Sequence, residues 1–458
     1  MIYLDHAAAT PIDKRVLTTM EPYFLDEFFN PSAAYLPAKK VAADYEAAKA
    51  KISHTIGAKA SDLVITAGAT EANNLAFTAI SEQEFGSVFS SAGLENSGTS
   101  YAGRPGEPSA SQTNLSTEGR PLDVASTRNA SVSSARLLQR SASSGIYVPE
   151  FSNHFMLQKK QIPNSRILYL ETEHDSVRAA AQRYGWQAVK VLKNGLIDMA
   201  DLKSKITDET ELISVSLVNN EIGVVQPLSE IASLIRDIKL DRFKRGIKRQ
   251  LLLHSDASQA LNLLDIKVAR LGVDLLTLNA AKIYGPKGVG ALYVSHEAKL
   301  KPLTVGGGQE NGLRSGTENV PGVIGFAKAV EIASEHLNGN RKKYASWRKI
   351  LLDELSDYEL INKKHSLDNF IVLCYNGIDA ERLIYLLEEK GVYVATGAAC
   401  AASKGQKSHV LKALGLNDSQ IAGSLRLSLG ETNTEEQMHE AAKIINVAVS
   451  AEYKRASK

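Results

Sequence analysis

VDLLTLNAAKIYGPKGVG, residues 273–290, reads as a buried strand over 273–278, a lysine, a Gly-Pro turn and a second apolar strand over 290–294. Apolar runs this short, closed by turn signals, fit strands of a covered parallel or mixed sheet. The carboxyl edge of such a sheet is where open α/β folds bind ligands. Lys282 follows the strand end, while Lys287 lies inside the turn. The strand end fixes the direction of Lys282, which makes it the stronger candidate of the two. A partly desolvated lysine has a lowered pKa and can condense with an aldehyde to a Schiff base. The alternative is a pair of surface lysines flanking a hairpin, and the rest of the chain decides between them.

Upstream, residues 251–255 form a strand leading into Asp256-Ala-Ser-Gln259. A carboxylate on this edge can pair with a protonated pyridine nitrogen, whose charge makes the ring an electron sink. Gln259 can bond a phenolic oxygen on the same ring. Capping a helix is the plainer use of Asp256. The strand over 211–218 ends at Asn219-Asn220, so Asn220 falls on the same edge. The strand over 167–170 runs out into Glu171-Thr-Glu-His174 and a helix. His174 can stack on a planar ligand there, or simply bond at the start of its helix. Strand 63–66 is followed by Ala67-Gly68-Ala69-Thr70-Glu71 and a helical run from Ala72 to about 81. Strand, small-residue turn and helix make a phosphate cradle of backbone N–H groups and positive helix end. Ala69 lies in that cradle and the Thr70 hydroxyl adds a donor. An N-capped helix after a tight turn is the simpler account. Strands and helices in this alternation belong to the α/β class.

At 458 residues the chain is long enough for two or three domains. A formal net charge of +2 gives no bulk electrostatic reason to expect nucleic acid or a membrane surface as partner. No apolar run approaches 18 residues, and no basic-then-apolar leader opens the chain, so the expected setting is cytoplasmic. Two cysteines, Cys374 and Cys400, argue against a disulfide framework. One quarter of residues 86–145 is serine, with little periodicity. Such a segment buries too little apolar surface to offset its ordering entropy. Residues 83–165 therefore read as a disordered or loosely ordered insertion, either merely tolerated or offering phosphorylation sites or a partner tether.

Beyond the lysine, residues 305–317 form a glycine-rich loop carrying Arg314 and Thr317. Helices over 320–335 and 341–355 follow. A strand over 370–375, a helix over 380–390 and a strand over 392–396 suggest a smaller α+β domain. Cys400 sits in the small-residue loop Thr396-Gly-Ala-Ala-Cys400-Ala-Ala-Ser, near Lys404, Lys407 and His409. That setting suits an accessible thiol with raised thiolate character, against the alternative of an unreactive loop cysteine. Cys374 lies in an apolar strand and reads as a core residue. Arg426, in LRLSL at 425–429, carries a fork that can hold a carboxylate bidentately. A final helix covers about 434–451. No metal is expected.

YLDHAAATP (3–11), AGATEANN (67–74), ETEHDSV (171–177), NNEIGVVQP (219–227), SDASQ (255–259), AAKIYGPKG (280–288), GGGQENGLRSGT (306–317), TGAACAAS (396–403) and LRLSLG (425–430) occur in one order along the chain. The set resembles the cysteine desulfurases, class-V aminotransferase relatives within the fold-type I pyridoxal phosphate (PLP) enzymes. The resemblance implies a large domain over 13–337 with a mainly parallel seven-stranded sheet, interrupted by 83–165. It implies a smaller α+β domain from 1–12 and 338–458 that carries the cysteine loop. By the same resemblance Lys282 would hold PLP, His174 would stack on its ring, Asp256 would bond N1 and Gln259 O3′. Thr70 would bind the phosphate, and Thr317 would reach it from a partner subunit. Asn220 and Arg426 would take the carboxylate of L-cysteine. Cys400 would be the mobile nucleophile that leaves alanine and a persulfide. A homodimer is implied, with a scaffold or tRNA-thiolation enzyme as sulfur acceptor. Iron–sulfur cluster assembly and tRNA thiolation are the implied destinations.

Two positions depart from the family pattern. Relatives carry histidine just before the lysine and serine or a similar residue two before that; here these are Ala281 and Asn279. Ala281 removes one phosphate donor, and Asn279 can supply another through its amide. A selenocysteine lyase, an aminotransferase or a sulfur-relay subunit that no longer turns over are the alternatives on the same fold.

Overall fold

The structure is a computed structural model and describes residues 1–80, 166–396 and 407–456. The segment 83–165 and Cys400 lie outside the described residues. In chain order the strands are β1 (Ile2–Tyr3), β2 (Leu63–Thr66), β3 (Ile167–Leu170), β4 (Trp186–Val189), β5 (Leu212–Ser214), β6 (Leu252–Asp256), β7 (Leu275–Asn279), β8 (Gly290–Val294), β9 (Glu359–Leu360), β10 (Phe370–Cys374), β11 (Val392–Tyr393), β12 (Ala395–Thr396) and β13 (Ser424–Ser428). The helices are α1 (Lys14–Met20), α2 (Pro22–Leu25), α3 (Leu36–Thr55), α4 (Ala69–Phe77), α5 (Asp175–Ala181), α6 (Met199–Lys205), α7 (Leu228–Lys244), α8 (Val268–Leu271), α9 (Val320–Glu354), α10 (Ala380–Glu389), α11 (His409–Ala413), α12 (Asp418–Ala422) and α13 (Glu435–Ala456).

Seven strands make the larger sheet, in the order β2-β8-β7-β6-β5-β3-β4. Pairings from β7 through β4 are parallel, and β8 runs antiparallel to both of its neighbours. The strands are continuous apolar runs because both faces are covered. Alternate residues divide between two cores: Ile65, Leu168, Leu253 and Leu276 pack on one side with α3 and α9 residues such as Val41, Ile52 and Phe326. Val64, Ile167, Leu252 and Leu275 pack on the other, against Leu75 and Phe77 of α4 and Val177 of α5. This two-sided burial explains why the sequence shows apolar blocks here and not a period of two.

The smaller sheet is antiparallel, in the order β12-β13-β10-β9, and β1 pairs in parallel with β11. Its core joins Ile371, Leu373, Leu425 and Leu427 to Leu383 and Leu387 of α10 and to Met438 and Ile445 of α13. Helix α9 serves both cores: Val323, Phe326 and Val330 belong to the first, Tyr344, Trp347 and Leu351 to the second. Two helices were expected here, broken at 336–340; the structure has one of 35 residues. The apparent break is polar for a reason outside the helix. Asn340 Nδ2 donates to Glu431 Oε1 at 2.7 Å, and His336 Nδ1 lies 3.0 Å from Glu431 Oε2. Gly339 is carried at a cost of about 1 kcal/mol. Near the start of the chain, α1 and α2 are divided at Pro22, which has no N–H to continue the first.

The glycine-rich loop after β8 is fastened by Glu310. Its carboxylate accepts from Tyr45 Oη at 2.5 Å, Lys49 Nζ at 3.0 Å and the Ile65 amide at 2.7 Å. The Lys49 and Glu310 side chains are only 7% and 5% exposed. Removing one member of such a buried pair leaves the other charge uncompensated. Glu310→Ala is expected to cost about 3–5 kcal/mol of unfolding free energy, read from chemical denaturation. A loss within ~1 kcal/mol would show that the loop does not depend on this pair.

Candidate active site

The segments that follow the carboxyl ends of β2, β3, β5, β6 and β7 line one cleft of about 820 Å³, a volume ordinary for a small-molecule pocket. Lys282 lines it from a 3₁₀ turn directly after β7, and its ammonium donates to the Ala7 and Ala8 carbonyls at 2.8 and 2.5 Å. Lys287 is exposed and does not line the cleft, which separates the two lysines. Asn279 lines the cleft as well. Its Oδ1 accepts from the Ala281 amide at 3.1 Å, capping the turn that presents Lys282.

Asp256 is the last residue of β6 and is buried. One oxygen accepts from Asn73 Nδ2 at 2.8 Å and the other from the Ser258 amide at 2.9 Å. The local amide bond expected of a capping aspartate is therefore present, and the same carboxylate faces the cleft. Gln259 lines the cleft with its Nε2 on the Ala7 carbonyl at 3.0 Å, the carbonyl that also takes Lys282. His174 caps α5: Nδ1 accepts from the Ser176 amide at 3.1 Å. The local bond and the position on the ligand edge hold together.

Ala69 and Thr70 open α4, preceded by Gly68 at φ +145°. A Cβ on Gly290 of β8 would lie 2.8 Å from the Gly68 Cα. Gly290 lets the strand pass this close beneath the turn, and Gly68 supplies the positive φ that leads into α4, whose first residues line the cleft. Asn220 and Arg426 complete the lining on the far side. Arg426 is 3% exposed; Nη2 pairs with Asp5 at 2.6 Å, Nη1 donates to the Asn220 carbonyl at 3.1 Å, and Nε has no partner. The fork is thus already half engaged by Asp5. Thr317 does not line this cleft but a neighbouring cavity of about 120 Å³, with Arg314 and Glu310. Cys400 lies outside the described residues.

Several polar residues at the site were not singled out from the sequence. Glu173 is fully buried beside Asp256, and burial, reinforced by that negative neighbour, pushes its carboxyl well above the usual range. Its carbonyl accepts from His409 Nε2 at 2.9 Å. Glu221 accepts from Ser408, the cap of α11, at 2.5 Å. Burial pushes its carboxyl up to about 7, opposed by the Ser408 bond and the nearby Arg426. Asn73 and Ser176 connect Asp256 to His174. The only sequence signal for these residues is their nearness to Asn220, His174 and the α4 turn, since spacing does not reveal which polar side chains fold inward.

The Glu221 shift has a sign that can be checked. Its folded pKa is raised, so the stability it contributes is full below the unfolded value and declines as pH rises from there through about 7. Wild type is expected to lose denaturation midpoint between about pH 5 and about pH 8, and Glu221→Gln to flatten that part of the profile. An identical slope in the two proteins would remove Glu221 as its source.

PLP fits these residues. A lysine amine, a carboxylate held by two donors, an imidazole and a helix N-terminus with a threonine line one cavity large enough for it. No group of three or more histidine, cysteine or carboxylate side chains suited to a metal occurs among the described residues.

Comparison with known proteins agrees with this chemistry. The profile of the aminotransferase class-V family matches residues 2–88 and 153–440, omitting a stretch that falls inside the serine-rich segment. A Bacillus subtilis relative is 32% identical over 96% of this chain and 97% of its own length. The cysteine desulfurase IscS 1 of Archaeoglobus fulgidus is 30% identical, covering 97% of this chain and 96% of its own. Among solved structures, a NifS-like protein superposes with a TM-score of 0.72 at 25% identity, over 98% of this chain and 99% of the other. A protein titled SspA in complex with cysteine gives 0.66 at 27%, over 94% and 99%.

Proposed function

Because the chain belongs to the class-V aminotransferase family and, within it, is a PLP-dependent cysteine desulfurase, we propose that Lys282 and Cys400 carry its chemistry. Lys282 is the amine that holds PLP, and Cys400 is the thiol that takes sulfur from L-cysteine. The observation that supports this most is Lys282 opening from the end of β7 into the same cleft as Asp256, His174 and the α4 turn.

When bound, PLP supplies an electron sink for the carbon skeleton of the substrate. The protein's residues do the rest. Asp256, which accepts from Asn73 and Ser258, would hold a proton on the ring nitrogen. Gln259 would face the ring's phenolic oxygen, and His174 would cover one face of the ring. Thr70, Ala69 and the amides of α4 would take the phosphate. Asn279 contributes its amide N–H where Ala281 has none. Arg426, with Asn220 alongside, binds the substrate carboxylate through the N–H groups that Asp5 leaves available. Lys282 would carry the proton taken from the substrate Cα to the carbon that loses sulfur. The Cys400 thiolate forms a new S–S bond to the substrate sulfur as the C–S bond breaks. The electron pair of that bond stays with the carbon skeleton, which takes a proton and leaves as alanine.

The same proposal includes a homodimer in which Thr317 serves the partner's site. The exposed apolar group Phe24, Leu25, Phe28, Tyr35 and Leu36 supports it. Phe28 stacks on Phe29 at 4.7 Å and Phe29 meets Tyr35 edge-on at 5.9 Å, so part of this group is one aromatic surface. A scaffold for iron–sulfur clusters or a tRNA-thiolation enzyme would receive the sulfur. A cytoplasmic setting goes with it, because a persulfide-forming cysteine must be kept as a thiol. The proposal keeps a large domain over 13–337 and a small domain over 1–12 plus 338–458, with α9 contributing to the core of each. The test is incubation with L-cysteine and a reductant. Sulfide and alanine are expected in equal amounts; keto-acid products without sulfide would place the chain among transaminases instead.

A further inference from the structure

Four polar groups behind the cleft form one chain of hydrogen bonds, and its direction is determined by chemistry. Asp256 accepts at Oδ2 from Asn73 Nδ2 at 2.8 Å. A carboxylate accepts only, so Asn73 must present its NH₂ group here and not its oxygen. The second hydrogen of that NH₂ goes to Ser176 Oγ at 2.8 Å. Ser176 Oγ therefore has its own hydrogen free for His174 Nδ1, 2.9 Å away. The Ser176 backbone N–H also points at Nδ1, at 3.1 Å. With two donors aimed at it, Nδ1 has no place for a hydrogen of its own, and the ring proton lies on Nε2. Asn73 is completely buried and Ser176 nearly so.

We propose that Asn73 and Ser176 are positioning residues: oriented by Asp256, they hold His174 as the neutral ring with its proton on Nε2. The physical need is plain. A ring covering a cofactor whose pyridine nitrogen is protonated is repelled if it is itself a cation. Asp256 would thus hold a proton on a bound pyridine ring directly and orient His174 through two intervening side chains. The proposal rests on His174 and Asp256 facing the same ligand, and goes beyond that assignment by naming what controls the histidine.

Other charges also face His174. Glu173 precedes it, Asp175 and Arg178 lie on α5, and His409 comes from α11. None of these would be altered by a change at Ser176, so a serine variant isolates the relay.

The experiment uses full-length protein labelled with ¹³C and ¹⁵N at histidine, the His174 signals being assigned by their loss in His174→Gln. In the cofactor-free protein, wild type is expected to show an unprotonated Nδ1 and a protonated Nε2 at neutral pH. Ser176→Ala is expected to raise the pH at which the ring becomes doubly protonated by roughly half to one unit, because one donor to the neutral form is gone. Ser176→Thr, which keeps the hydroxyl, should restore the wild-type value, whereas a packing effect would follow side-chain size and not the hydroxyl. An Nδ1-protonated ring in wild type, or equal titration in wild type and Ser176→Ala, would overturn the relay. If Ser176→Ala does not fold, the wild-type tautomer and the Ser176→Thr titration still decide. Failure of the parent assignment looks different: added PLP would give no visible absorption band while the tautomer stayed as described.

Discussion

Lys282→Ala releases neither sulfide nor alanine from L-cysteine, with turnover down by at least ~10³-fold, and no longer holds PLP covalently. The size of the effect comes from the lack of a substitute. Lys287 is exposed and outside the cleft, and no other lysine lines it among the described residues. Fold stability should change little, because the Lys282 ammonium rests on two backbone carbonyls, Ala7 and Ala8, that lie on the cleft wall. Absorption spectra before and after borohydride reduction check the cofactor, and sulfide and alanine assays check the chemistry. Retained turnover in Lys282→Ala would displace this lysine from the centre of the mechanism.

Cys400→Ala is expected to keep the PLP band and to lose sulfide release by at least ~10²-fold. The two variants therefore separate the two halves of the reaction: one loses the cofactor linkage, the other keeps it and lacks the sulfur acceptor. Cys374→Ala is the control. Cys374 is buried in β10, burial pushes its thiol up, and its Sγ lies 3.4 Å from the Gln420 carbonyl. A thiol in that state is a poor nucleophile, so the control should desulfurate as wild type does. If Cys374→Ala lost sulfide release and Cys400→Ala did not, the roles of the two cysteines would be exchanged.

The anchors next to this cysteine's segment are informative. Ser408, eight residues after Cys400, is held by Glu221, and His409 by the Glu173 carbonyl. Both anchoring residues come from segments that also line or adjoin the cleft. The chain is thus returned to the site at a defined point, through one raised carboxyl and one lowered imidazole.

The strand cores were plain in the sequence. Residues 63–66, 167–170 and 290–294 were readable as strands because each is a short apolar run closed by a turn signal, and each is a strand with those bounds. Strand ends then placed Lys282, Asp256, His174 and Asn220 on one edge without knowledge of any contact, since a parallel sheet presents all its carboxyl ends together. The Asn-Gly-Asn stretch at 338–340 misled because its polarity answers to Glu431, 91 residues away from Asn340. No local pattern carries that information.

By itself, then, the order of apolar runs, turns and chemistry-bearing residues determined the α/β class, the ligand edge of the sheet and the lysine, aspartate and histidine that share it. That is local information: period, turn chemistry and the residue types just past each strand end. Only the tertiary structure decided that Asp5 occupies half of the Arg426 fork, that Glu173 is fully buried and that both it and Glu221 carry raised carboxyls, and that Asn73 and Ser176 join Asp256 to His174. Each of those facts depends on which polar atoms meet inside a low-dielectric interior, and that is set by side chains brought together from distant parts of the chain.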